Sequence, residues 1–200
     1  TCALPIFDIL SNVSFDFMSE NGIETGSWRP IGIEEINQLQ ETLLDTVISS
    51  GGSAANSAVG FALLGGKASY IGRVKDDDLG GIYIKDMEKA QVNFASKPSK
   101  EGLETGRCLV YVTPDAQRSM RTYLGAASQL SPEEIKEDTI SESKILYLEG
   151  YLWDEDLAKK SCQKAFELAK KYRVKTALSL SDSFCVEKWR EEFRQLVKKS

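Results

Sequence analysis

The sequence predicts an α/β fold, with mainly parallel strands joined by crossover helices and a possible small β insertion. Three observations carry this reading. The last third alternates strand, helix, strand, helix: "KILYLEGYL", a helix near 155–172, "VKTALSL", and a helix near 184–198. Parallel neighbours need a long crossover, so such alternation implies a parallel sheet. The first apolar run, "LPIFDILSNV" at 4–13, is apolar on both faces, as a central strand would be. Two strand-like runs, 105–113 and 118–124, flank a turn containing Pro114-Asp115 and read as a hairpin.

The remaining elements follow in chain order. Residues 15–31 are mixed, with Gly22, Gly26 and Pro30 as turn signals. Ile33, Ile36, Leu39, Leu43 and Val47 share one helical face, which predicts a helix over 33–48. A small-residue helix follows near 53–64, then a short strand in "KASYIGRV" at 67–74. "DDDLGGIYIKDMEKA" opens with carboxylates, which suit a helix N-terminus through capping and the helix dipole. "VNFA" reads as a short strand. The expected main sheet holds strands near 4–11, 67–73, 144–149 and 174–180, and the β insertion uses segments near 12–31 and 104–124.

The 200 residues are 42% hydrophobic, enough for one sizeable core. The net charge is −5 and no strong Lys/Arg cluster occurs, which argues against a nucleic-acid partner. No apolar run is long enough to span a membrane, and no secretory signal pattern occurs. Cys2, Cys108, Cys162 and Cys185 show no C-x-x-C spacing, which speaks against a disulfide framework or zinc site and fits a reducing cytoplasm. There is no histidine, so His-based triads, ligands and general bases are excluded. The chain starts at Thr1 rather than Met and ends just after a helix, so both ends read as cut or processed.

"GGSAANSAVGFALLGG" at 51–66 places a Gly pair directly before a helix. The dinucleotide fingerprint G-x-G-x-x-G is not there, and the Walker A loop fails because Phe61 and Ala68 replace its glycine and hydroxyl. A Gly pair at a helix start still brings backbone N–H groups close to a ligand. Asn56, one turn in, both donates and accepts hydrogen bonds, which suits a polyhydroxylated ligand. Taken alone, the stretch fits a helix cap with a small-residue packing face better. Asp8 changes the balance, because a carboxylate inside an apolar strand needs partners. Glu149 repeats the pattern at the end of "ILYLE", and ligands of open α/β sheets sit at strand carboxyl ends.

These residues carry a family resemblance. "GGSAANSAVGFALLGGKASYIGRVKDDDLGG" closely resembles the N-terminal signature of the PfkB, or ribokinase-like, carbohydrate and nucleoside kinases. "FDILSNVSFDFMSENGIETGS", "RSMRTYLGAASQLS", "LYLEGYLWD" and "SLSDSFCV" resemble its adenosine-kinase-like branch. The resemblance implies a Rossmann-like three-layer αβα core with a β-sheet lid over the sugar site. It also implies transfer of the ATP γ-phosphate, with Mg²⁺, to a hydroxymethyl group of a sugar or nucleoside. By the same resemblance Asp8 matches an acid that binds sugar hydroxyls, and Gly51, Gly52 and Asn56 match the sugar-binding turn. Glu149 matches a strand-end acid near the substrate, and Arg118 a lid-side arginine near the reacting groups.

The chain also departs from the family pattern. Ala3 and Leu4 stand where Gly-Asn is frequent, and Lys75 replaces a frequent glycine. The family's Gly-Ala-Gly-Asp turn, whose Asp is the general base and whose amides form the anion hole, does not occur, and "LGAAS" at 124–128 lacks the acid. The expectation is therefore a substrate-binding half without the nucleotide-binding half, inactive alone. Two other functions compete: a non-catalytic sugar or nucleoside binding module, and a module that forms a homodimer through its lid.

Overall fold

A computed structural model describes residues 1–199. The chain leaves the core almost at once. β1 (Ile6–Asn12) is followed by α1 (Phe15–Glu20), β2 (Trp28–Pro30), α2 (Ile33–Glu41) and β3 (Val47–Gly51). With β6 (Gly106–Val112) and β7 (Arg118–Tyr123), these strands form a five-stranded sheet in the order β2-β7-β6-β1-β3. β1 runs parallel to β6 and antiparallel to β3, and β6 and β7 form the expected antiparallel hairpin. This sheet is the lid.

The core is built from the other strands. α3 (Ser53–Leu63) leads to β4 (Ala68–Tyr70), α4 (Asp78–Lys89) and β5 (Val92–Phe94). After the lid hairpin come two 3-10 turns and the short α5 (Glu137–Ser141), then β8 (Ile145–Glu149), a 3-10 turn over Gly150–Asp154 and α6 (Asp156–Lys171). β9 (Lys175–Ser179) and α7 (Ser183–Lys199) complete the order. β4 pairs with β5 and β8 with β9, both in parallel. Cys2 joins the two ladders through parallel bridges to Ile71 and Leu148.

Three apolar clusters hold these layers. Ala54, Ala55, Ala58 and Ala62 of α3 pack with Tyr83 and Met87 of α4 around Phe7 and Tyr70. The small side chains let α3 approach closely, as the sequence suggests. α6 lays Ala158, Cys162, Ala165 and Ala169 against Cys2, Leu146 and Leu148 on another side of the core. Ile36 of α2 and Met18 of α1 cover the outer lid face over Ile9, Leu109 and Tyr111. Asp77 caps α4 by accepting from the Gly80 amide at 2.8 Å, as its carboxylate-rich start predicts.

Three expectations are corrected in detail. The strand expected near 4–11 in the main sheet lies in the lid, and only Thr1, Cys2 and Ala3, bonded to Ser69, Ile71 and Tyr147, carry the start of the chain into the core. It is apolar on both faces because the lid is covered twice: Ile9 faces the helices outside, and Ile6 and Leu10 face the core. The helix expected over 33–48 stops at Glu41. Asp45 then takes a positive φ of 50°, and the β-branched pair Val47-Ile48 continues as strand. Val47 fits the helical spacing only by coincidence of register. Of the insertion near 12–31, only Trp28–Pro30 pairs as strand, while Phe15–Glu20 is helical.

The α6 seam gives a stability test. Ala165 is fully buried, so Ala165→Leu overpacks the seam. The expected loss is about 1–3 kcal/mol, read as a lower urea midpoint with an unchanged slope.

Candidate functional site

The Gly51–Gly52 turn lies where lid becomes core: β3 ends at Gly51 and α3 begins at Ser53. Gly52 adopts φ +96°, open to glycine and strained for other residues. A Cβ there would also sit 2.7 Å from the Leu4 carbonyl oxygen. A Cβ on Gly51 would fall on the Asp8 carboxylate, so the missing side chain is what lets that carboxylate lie across the turn. Tyr83, buried in α4, donates to the Gly51 carbonyl at 3.0 Å and fixes the turn from below.

Asp8 is half-buried, paired in register with Ser49 on one side and Cys108 on the other. Burial pushes its carboxyl up to about 6, and the Arg118 charge pulls it partly back. Arg118 begins β7 and is itself exposed. The structure thus brings Asp8, Gly51, Gly52 and the Arg118 charge together. Asn56 stands one turn into α3 on its exposed side, and its side chain makes no hydrogen bond among the described residues.

Glu149 occupies a different environment. It is 1% exposed and lies beneath the turn. Its Oε2 accepts from the Leu4 amide at 3.4 Å. Burial raises its carboxyl above the usual range, and Ser53 and the Leu4 and Ala54 amides oppose that shift. Among the described residues its Oε1 has no hydrogen-bond partner. A carboxylate at the foot of α3 also favours the positive end of the helix dipole.

Sequence reasoning missed the aromatic side of this face. Thr122 donates to the Cys108 sulfur at 3.2 Å and accepts from the Trp28 indole at 3.0 Å. Cys108 is the register partner of Asp8, so Asp8, Cys108, Thr122 and Trp28 follow one face of the lid. Trp28 packs on Tyr151 and Phe184 of the core with ring centroids 5.4 and 5.9 Å apart. The available signal was a lone tryptophan among turn residues in "ETGSWRP".

Asp8 makes stability depend on pH. Its ordinary value is 3.8 and its folded value about 6. Between these values the folded chain keeps a proton that the unfolded chain has lost, so stability falls as pH rises through this window. Asp8→Asn removes that slope: urea melts should show the variant gaining on the parent at pH 7 and converging with it near pH 4.

Comparison with known proteins agrees with this layout. The family described as pfkB family carbohydrate kinase matches residues 30–199. The 5-dehydro-2-deoxygluconokinase of Bacillus licheniformis is 30% identical over 149 residues, 73% of this chain and 46% of that protein. The crystal structure of adenosine kinase from Sinorhizobium meliloti has a TM-score of 0.93 at 42% identity, covering 98% of this chain and 60% of that one. Anopheles gambiae adenosine kinase shares the fold at 20% identity, with a TM-score of 0.88 over 99% of this chain and 63% of that one. The chain spans about half the length of the curated relatives it matches. No described helix is long and apolar enough to cross a membrane. With the family match running from the lid strand β2 to the last described residue, the chain belongs to the pfkB family of carbohydrate kinases.

Proposed function

We propose that this chain is the substrate-binding half of an ATP-dependent kinase acting on the hydroxymethyl group of a sugar or nucleoside. The observation that carries this reading is the Asp8 carboxylate lying across a Gly pair that only glycine can form. An ionised carboxylate accepts hydrogen bonds from two neighbouring hydroxyls, and the bare turn lets a sugar ring approach the backbone. Asn56 adds a donor and an acceptor from the exposed side of α3. Arg118 supplies positive charge beside the acceptor group, and Glu149 holds the foot of the turn.

Among the described residues, no three carboxylate or thiol side chains converge as metal ligands would. Mg²⁺ in phosphoryl transfer is held by one or two carboxylates together with the nucleotide's phosphates, so in this reading it belongs with the nucleotide and no step is assigned to it. Nucleotide, general base and anion hole belong, in this reading, to the part of the family fold beyond these 200 residues. The chain alone binds substrate and does not phosphorylate it. A reducing cytoplasm suits its four buried free thiols.

The aromatic face favours a nucleoside over a free sugar. Trp28, packed on Tyr151 and Phe184, puts an aromatic cluster on the lid face that carries Asp8, and planar bases pack on such rings. Calorimetric titration of the chain with adenosine, ribose and fructose tests this. Adenosine is expected to bind tightest, and Asp8→Asn to weaken it roughly ten- to hundredfold, the range of a charge-assisted hydrogen bond. Equal affinity in parent and variant would remove Asp8 from the site.

A lid-to-lid homodimer is part of the same reading. Among the described residues the outer edge of β3 has no strand partner, and Val47 and Ile48 are 65% and 54% exposed. Sedimentation should show a dimer that Val47→Lys returns to monomer.

A further inference from the structure

Thr105 is fully buried and directly precedes β6, so it is the root of a central lid strand. Its amide donates to Asp77 Oδ2 at 3.0 Å, and its hydroxyl donates to Asp77 Oδ1 at 2.7 Å. The same hydroxyl accepts from the Lys75 amide at 3.0 Å. Capping α4 needs one carboxylate oxygen, and Oδ1 does that through the Gly80 amide. Among the described residues, Oδ2 bonds to the lid root alone. Gly80 leaves the room: a Cβ there would meet Thr105 Oγ1 at 3.1 Å and collide with the Lys75 carbonyl.

This node reaches further than one strand. The Ala126 amide donates to the Glu104 carbonyl at 2.7 Å, tying the exit of β7 to the root of β6. Gly106, the first residue past the node, is packed so closely that a Cβ would lie 2.6 Å from the Leu124 carbonyl oxygen and from Ile6 Cδ1. Two residues later Cys108 pairs with Asp8.

We infer that Asp77 is a positioning residue for the hydroxyl site: it latches the lid hairpin to α4 and thereby sets Asp8 over the Gly51–Gly52 turn. The inference builds on the reading of that turn as a substrate site. Asp77 touches no substrate in this arrangement and acts through Thr105 and β6.

Thr105→Val tests the latch without removing the helix cap, and Thr105→Ser restores the hydroxyl. Hydrogen exchange on the whole chain is the first readout. The expected result is exchange roughly tenfold or more faster at the amides of 106–110 in Thr105→Val, the scale of the lost charge-assisted bond to Asp77 together with the bond from the Lys75 amide. Amides 81–85 of α4 should keep their rates, and Thr105→Ser should recover the parent pattern. Adenosine titration is the second readout, with affinity weakened in Thr105→Val and recovered in Thr105→Ser. Uniform acceleration across lid and α4, or unchanged rates at 106–110, overturns the latch. So does a Thr105→Ser variant no better than Thr105→Val. Exchange decides the latch even if the parent chain binds neither adenosine nor ribose, which would defeat the functional reading instead.

Discussion

The lid is a sheet attached to another sheet by four chain crossings, and every other feature depends on how those crossings are held. At a crossing the backbone leaves one ladder before joining the next, and its polar groups still need partners. At the first, Glu149 accepts from the Leu4 amide before β1 begins. At the second, the Gly51 carbonyl accepts from Tyr83. The third uses the Asp77 carboxylate at Thr105, and the fourth the bond from the Ala126 amide to Glu104. Two core acids and one buried phenol thus do at the lid roots what ladder bonds do elsewhere. Glycine recurs at the same places: at 52, 106 and 125 a side chain would collide with the backbone of the neighbouring crossing, and at 51 with the Asp8 carboxylate.

Asp8 shows the electrostatic side of this arrangement. A carboxylate between two strands loses hydration, and burial raises it to about 6. Arg118 relieves part of that cost from the rim of the lid. A group left in this state is poorly satisfied by its own protein, and hydrogen-bond donors from outside improve its position. Glu149, deeper, braces the Leu4 amide through one oxygen and leaves the other unpaired among the described residues.

Much of this was legible in the sequence. The parallel strand and helix succession of the last third, the hairpin around Pro114-Asp115 and the carboxylate cap of α4 all follow local chemistry. The Gly pair was legible as a turn because glycine frees the backbone for the positive φ that Gly52 adopts. What escaped was non-local. An apolar run covered on both faces reads the same in a core sheet and in a lid packed between helices and core, so the pattern at 4–11 does not distinguish the lid, where it lies, from the main sheet. Asp77 reads as an ordinary cap, since its second oxygen meets Thr105 from 28 residues away. Trp28 gives no periodic signal in a three-residue strand, and its role follows from Tyr151 and Phe184, more than 120 positions on.

Trp28 has one more property. Of the three tryptophans, it alone sits in the lid; Trp153 lies in the turn before α6 and Trp189 in α7. Its ring touches core aromatics across the boundary, while its indole N–H stays bonded within the lid to Thr122. Any swing of the lid therefore moves this indole from an aromatic surround toward water without changing its hydrogen bond. The protein carries its own optical gauge of lid position, with emission colour as the scale and no added label.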